Sequence, residues 1–558
     1  MTMLRRALAS CLLLVAAPAL AANPSPESVD QVFADYGKDG PGCALAVVRD
    51  GAIVLAKGYG LASLEHGVPI TPQTVFDIGS TSKQITAASI LLLAQDGKLS
   101  LDDDVRKHIP EIPDYGTPVT LRHLLHHTSG VRDYIALLGL GGISFEDVAT
   151  DGDALTAIAR QKSLDFKPGD EHSYSNSGYF LLSLVVKRVS GKTLREFAQE
   201  RIFTPLGMTS TQILDDHARV IPRRAASYVP GPDGGFRTAA SNWEQTGDGA
   251  VQTTVEDLAK WDRNFYDPKV GGPALVEQLQ ETGVLNDGSR IPYARGLVVD
   301  EHRGLRRVQH GGAWAGFLAN LIRFPGERLS VITLCNRGDV DPTGLAMQVA
   351  ELYLADRMQP AAPEPVPPPE GAAAAASTAA VDTARHTGLY WNPLTSLVRR
   401  IQERDGKLFY VRGPGNETEL APLGGGRFAM IGAPVPTEVL FSSSGAAARE
   451  MRVQSAGQPL LVFEGVEPFA PTAAEFAAYA GTFHSEELDA TYRFSVEDGR
   501  LALRTRRQPP FPLDPVFADA FSQPGGLLFR FARSGKEVTG FAIGVGRARN
   551  LVFTRTGS

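Results

Sequence analysis

The chain is poor in cysteine, with three in 558 residues at Cys11, Cys43 and Cys335. That scarcity excludes a disulfide scaffold, and no Cys/His group has the spacing of a zinc site, so neither a metal nor another cofactor is expected. Long apolar runs are missing as well. Beyond the amino-terminal leader no stretch reaches the ~18 residues of a membrane span. Runs of like charge are also absent, and a net charge of −7 spread along the chain leaves no electrostatic footprint for nucleic acid. A Gly-x-Ser-x-Gly elbow is lacking too, which weighs against Ser-His-Asp chemistry.

What is present starts with a leader. Arg5 and Arg6 introduce an apolar run from Ala7 to Leu20, and Ala19-Leu20-Ala21 offers a small-x-small cleavage site. Residues 1–21 are therefore read as a signal peptide, and the mature protein is expected in a periplasm or outside the cell. A lipoprotein reading is set aside because Cys11 does not follow the apolar run. Cys43 and Cys335 both fall in strand-like segments and are read as two buried free thiols, a bridge being the alternative in an oxidising compartment.

Length predicts several domains. The clearest boundary is the Pro/Ala-rich stretch read as a linker over 359–381, with six prolines between 360 and 369 and five alanines from Ala372 to Ala376. Before it, over 23–358, strand signals at Cys43–Val48 and Ala52–Lys57 flank a turn at Asp50-Gly51, and a helix-rich middle runs from Ser80 to about Trp261. Strands return at Leu297–Asp300, Leu305–Gln309, Phe317–Phe324 and Leu329–Cys335. The prediction is an α+β domain with one antiparallel sheet, closed by both ends of the domain and flanked by helices. After the linker an internal repeat appears. Gly388 is followed by Asp405-Gly406, and Gly481 by Asp498-Gly499, at the same interval. It predicts two small all-β, barrel-like units over 382–467 and 468–558, and places Tyr390 and His386 in their strands.

Three short motifs carry chemistry in order: Ser80-Thr81-Ser82-Lys83, Tyr174-Ser175-Asn176 and His310-Gly311-Gly312. Ser80 stands in the first turn of an apolar helix that ends before Gly97, so Ser80 and Lys83 share one face. A serine hydroxyl is a weak nucleophile until a neighbouring base takes its proton. Lys83 serves as that base only if neutral, and Tyr174 is the competing candidate; the sequence leaves both open. Asn176 offers donor and acceptor to a substrate amide. His310 is expected to end a strand, with Gly312 and Ala313 giving a substrate room along its edge and the N–H groups of Ser80 and Ala313 forming an oxyanion hole. His302-Arg303-Gly304 reads as a turn between strands, His126-His127-Thr128-Ser129-Gly130 as a helix end and loop, and Asp102-Asp103-Asp104 as a capping turn.

With Gly58-Tyr59-Gly60, Phe76 to Lys83, Gly97 to Asp103, Leu121 to Gly130 and Pro205-Leu206-Gly207-Met208 added to those motifs, residues 30 to 355 resemble the serine β-lactamase and penicillin-binding protein superfamily. The resemblance is to its branch of class C β-lactamases, D-alanyl-D-alanine carboxypeptidases, D-aminopeptidases and esterases. It implies Ser80 as acylated nucleophile, Lys83 and Tyr174 as proton carriers, Asn176 as substrate ligand, and His310 where β-lactamases carry the lysine of Lys-Thr-Gly. A mostly neutral histidine attracts a carboxylate less than a permanent cation does, which counts against efficient β-lactamase activity. Two β units behind the catalytic domain look like the D-aminopeptidase architecture, in which a loop of the last domain enters the active site and selects substrates with a free amino terminus. The loops near Gln508–Phe511 or Asp519–Gly526 are the expected counterparts. The function expected is a D-aminopeptidase-like serine hydrolase acting on small peptides, amides or esters. A D,D-carboxypeptidase or esterase is the second reading, and a non-catalytic penicillin-binding-like scaffold the third.

Overall fold

Asp50 and Gly51 both adopt positive φ, 53° and 78°, the geometry of a two-residue turn whose twist matches the strands it joins. It closes the hairpin of β1 (Cys43–Arg49) and β2 (Ala52–Tyr59). In the computed structural model, which describes residues 23–360 and 383–557 apart from 434, 445–447, 456–459, 506–508 and 524–525, this hairpin meets the far end of the same domain. The leader and nearly all of the linker lie outside the described residues. Strands β3 (Val298–His302), β4 (Leu305–Trp314), β5 (Phe317–Phe324) and β6 (Leu329–Cys335) complete a six-stranded antiparallel sheet in the order β3-β4-β5-β6-β1-β2.

Alternation along the central strands gives the sheet two buried faces. Ala44, Ala46, Leu321, Ile332 and Leu334 pack on the helical middle of the domain. Leu45, Val47, Ile322 and Val331 pack on Leu345, Val349 and Ala350 of a carboxy-terminal helix. At the heart of the helical side lies α1 (Lys83–Gln95), buried on nearly every face, as expected of a helix that is apolar all round. It packs on α3 (Asn176–Ser190), which ends at Gly191 with φ 74°. Between them in sequence comes α2 (Tyr134–Leu140), capped by the Asp133 carboxylate.

The thiol reading is corrected here. Cys43 on β1 stands directly opposite Cys335 on β6 in the ladder, and the two are joined by a disulfide. Composition does not fix register, and register is what makes them neighbours.

Behind the catalytic domain the chain forms a closed eight-stranded barrel, from Gly388–Trp391 to Leu461–Val466, and then a nine-stranded sheet. The repeat marks equivalent turns, with Asp405-Gly406 (φ 53° and 76°) and Asp498-Gly499 (φ 50° and 75°) closing matching hairpins. Tyr390 is a strand residue, whereas His386 ends a short 3-10 turn rather than lying in a strand. The third unit ends in the hairpin of β7 (Glu537–Val545) and β8 (Ala548–Gly557). It is joined to the first through α2, whose Leu137 is buried in the core formed by Tyr492, Phe541 and Phe553. Its Tyr492 hydroxyl donates to Leu140 O at 2.8 Å.

Candidate active site

Ser80 sits in a 3-10 turn, Gly79–Ser82, that runs straight into α1. Gly79 N donates to Asp77 Oδ1 at 2.8 Å, and Gln252 Nε2 donates to the other Asp77 oxygen at 2.6 Å. The turn lies against β4. A Cβ on Gly79 would come 2.6 Å from Ala313 N, and one on Gly312 would come 1.9 Å from Ile78 O. Both glycines are thus required by close backbone approach. Gly312→Ala is expected to push the strand off the nucleophile turn and cut kcat by about a hundredfold or more. Steady-state kinetics on protein with an unchanged circular dichroism spectrum checks this, and retention of wild-type kcat would contradict it.

β4 continues through His310 to Trp314, so His310 lies within the strand and does not end it. A Gly-Gly pair reads as a breaker in sequence, but here it is the segment that fits under the nucleophile. β3 stops opposite Gln309, leaving the His310–Trp314 edge without a strand partner among the described residues. The two-residue turn Ala315-Gly316 closes on the Trp314/Phe317 pair. Because hydrogen-bonded pairs alternate along an antiparallel ladder, the N–H of Ala313 points to that open edge, beside Ser80. A Cβ on Gly312 would also come 3.0 Å from Ser80 N, so the backbone of the nucleophile turn and that edge lie side by side.

Lys83 is fully buried. Its Nζ lies 3.0 Å from Ser80 Oγ, 2.9 Å from Asn176 Oδ1 and 2.7 Å from Asp248 O. Two of these neighbours are carbonyl acceptors and the third is a hydroxyl. A neutral amine satisfies all three, giving its two N–H groups to the carbonyls and its lone pair to the Ser80 proton. Burial pulls the Lys83 pKa down to about 8, with Arg547 assisting and Asp248 and Asp133 opposing. Roughly a tenth of the amine is then neutral at pH 7. Asp248, whose own carboxyl burial pushes up, accepts from the Tyr134 hydroxyl at 3.1 Å.

The Tyr174 hydroxyl is buried beside Ser80. Burial drives its pKa far up, and Ser80 only partly offsets this, so the phenolate is scarce near neutrality. The geometry therefore favours Lys83 as base, with Tyr174 as a neutral neighbour. Its ring packs 4.1 Å from that of His127 and lies 4.9 Å from Lys83 Nζ. His127 is a loop residue at φ 57°, with Nδ1 accepting from Ser175 N at 3.2 Å. The His310 ring lies 6.3 Å from that of Tyr174. Its Nδ1 pairs with Gly311 O at 2.6 Å and its Nε2 with the Tyr293 hydroxyl at 3.0 Å, and burial takes its pKa down to about 4. It is a neutral imidazole that braces the strand edge.

Sequence reasoning missed Asp133, Asp248, Tyr293 and Arg547. Asp133 Oδ2 accepts from both Asn176 N at 2.7 Å and Asn176 Nδ2 at 2.9 Å, turning the amide so that its oxygen faces Lys83. Its signal was a helix cap before Tyr134–Leu140. The loop of the third unit that lines the cleft is a different one from those expected near Gln508–Phe511 and Asp519–Gly526, of which 508 and 524–525 lie outside the described residues. It is the β7–β8 turn: Val545, Gly546 and Arg547 line a cleft of about 1020 Å³ together with Ser80, Tyr174, Asn176 and Gly311–Ala313. Among the described residues, Asp216, His217 and Glu244 bring possible metal-ligand atoms within 4.8 Å of one another. His217 Nδ1 is already paired with Glu244 there, at 2.7 Å.

The pH dependence follows from Lys83. With Lys83 as the base, only the neutral amine can accept a proton, so kcat/KM is expected to rise with pH and level off above about 8. Asp248→Asn removes a carboxylate that holds the ammonium, so it should move that limb to lower pH. A flat profile from pH 6 to 9 would contradict this.

A sheet closed by both ends of its domain, with a Ser-x-x-Lys turn pressed under one strand, defines a class of serine hydrolase. The family model described as Beta-lactamase matches residues 29–355, more than half of the chain, and the protein belongs to that family. Among curated relatives, a D-aminopeptidase of Gluconobacter oxydans is 29% identical over 536 residues, spanning 92% of this chain and 96% of that one. A D-aminopeptidase of Brucella anthropi is 32% identical over 297 residues, 53% of this chain and 56% of that one. In fold, the octameric penicillin-binding protein homologue from Pyrococcus abyssi matches at a TM-score of 0.54 and 21% identity, covering 86% of this chain and 97% of its own.

Proposed function

We propose that this serine hydrolase is a D-aminopeptidase, releasing an amino-terminal D-residue from short peptides or amides through an acyl-enzyme on Ser80. The observation that carries the reading is the β7–β8 turn lining the Ser80 cleft. It accompanies end-to-end similarity to a named D-aminopeptidase, β units included. Neutral Lys83 takes the Ser80 proton as Oγ attacks the carbonyl carbon, and Ser80 N and Ala313 N hold the developing oxyanion. The C–N bond then breaks as the proton passes to the leaving nitrogen, and water repeats the sequence to free the acid. Asn176, turned by Asp133, keeps Lys83 in place. Neutral His310 leaves β4 without the permanent cation that the resemblance gives β-lactamases at this position.

An exported mature chain fits this picture. The leader over 1–21 is one support and the Cys43–Cys335 bridge is another, because disulfides persist chiefly in oxidising compartments. The test of function is the initial rate on D-alanyl-p-nitroanilide with the L-isomer and Ser80→Ala as controls. Turnover of the D-isomer alone, lost in the variant, is expected. Equal turnover of both isomers, or none, would refute the reading and turn attention to esters and acyl-D-alanyl-D-alanine.

A further inference from the structure

Position 310 brings no charge to the cleft, yet the cleft holds a cation from elsewhere. Arg547 stands at the tip of the β7–β8 turn, and neighbouring bonds fix that tip. Asp133 N donates to Arg547 O at 2.9 Å, Arg549 N donates to Asp165 Oδ1 at 2.9 Å, and Arg549 Nη2 donates to Glu171 Oε2 at 3.0 Å. The Arg547 guanidinium lies 4.9 Å from the centre of the Tyr174 ring and lines the cleft. Among the described residues it has no hydrogen-bond partner. An anchored backbone beneath an unpaired fork of N–H donors suits a ligand better than it suits packing, and the ligand such a fork matches is a carboxylate.

We infer that Arg547 is a specificity residue that binds the α-carboxylate of the departing amino acid, so that the enzyme prefers dipeptides with a free carboxy terminus to the corresponding amides. The inference rests on the aminopeptidase reading for its substrate. The leaving nitrogen must come within hydrogen-bond reach of the group that protonates it, which places it beside Lys83 and Tyr174. In a dipeptide the α-carboxylate carbon is two bonds beyond that nitrogen. Arg547 lies as close to the Tyr174 ring as Lys83 does, at 4.9 Å each, so the sum of those distances bounds the gap the leaving residue spans. The third unit thus supplies the charge that β4 lacks.

The test is calorimetric binding to full-length Ser80→Ala, which holds ligands without turning them over, comparing D-alanyl-D-alanine with D-alanyl-D-alaninamide. The free acid is expected to bind about tenfold more tightly or better, the range of a charge-assisted hydrogen bond. Adding Arg547→Gln should erase the difference, Arg547→Lys should keep part of it, and raised salt should narrow it. Equal affinity of the two ligands, a difference that survives Arg547→Gln, or binding of neither would overturn the inference. Because this measurement needs no catalysis, its outcome is separate from the p-nitroanilide result.

Discussion

Ser80→Ala is expected to lower kcat/KM by about four orders of magnitude or more, and Lys83→Met by about three, with the double variant no worse than Ser80→Ala alone. The lack of additivity is the informative part. Lys83 acts on the very proton that Ser80 gives up, its Nζ lying 3.0 Å from Ser80 Oγ, so its contribution has nothing left to act on once the serine is gone. A Lys83→Met variant that still forms the acyl-enzyme at wild-type rate would remove the amine from the mechanism and return the base's role to Tyr174, despite the burial that holds its proton on. Mass spectrometry of the protein after reaction with an acylating probe reads this directly.

The second large effect lies far from the nucleophile. Arg132 is buried between two units: Nη1 donates to Glu487 Oε1 at 2.7 Å and Nε to Asp165 Oδ1 at 2.9 Å. Asp165 also receives Arg549 N, and the residue after Arg132 is Asp133, which orients Asn176. Hydrogen bonds and the one peptide link between Arg132 and Asp133 therefore connect the third unit to Lys83. Arg132→Met leaves two carboxylates buried without their cation, a loss of about 3–5 kcal/mol where such pairs have been broken. The expected outcome is a marked fall in the melting temperature together with a fall in kcat on every substrate, small or large. If selectivity changed while kcat on D-alanyl-p-nitroanilide stayed at the wild-type value, the third unit would be a gate alone and no part of the catalytic support.

The contrast between what the sequence disclosed and what it withheld is physical. Ser80, Lys83 and Asn176 were legible because a four-residue helical interval and a helix entrance are local facts. The sheet was legible through apolar alternation and through Asp50-Gly51. His310 was found but misplaced within its strand, because Gly311-Gly312 signals a break unless one knows that the Ile78 carbonyl passes over Gly312. Asp133, Asp248 and Tyr293 take their places at the site only from tertiary contacts, with Asn176, Tyr134 and His310 respectively. Arg547 sits in a Gly-Arg-Ala hairpin tip with nothing to set it apart until the third unit docks. The bridge was a matter of register across 292 positions, which no spacing argument reaches.

That bridge also sets how the molecule bears mechanical load. Cys43 and Cys335 lie near the two ends of the catalytic domain, and every residue from Ser80 to Ala313 is inside the loop they close. A pull applied between those ends, as by a machine threading the chain from one side, enters at one cysteine and leaves at the other. The active-site segment stays slack, so the domain extends only by the short lengths outside the bridge until the bond is reduced. A force–extension trace should therefore gain the missing contour length only in reductant.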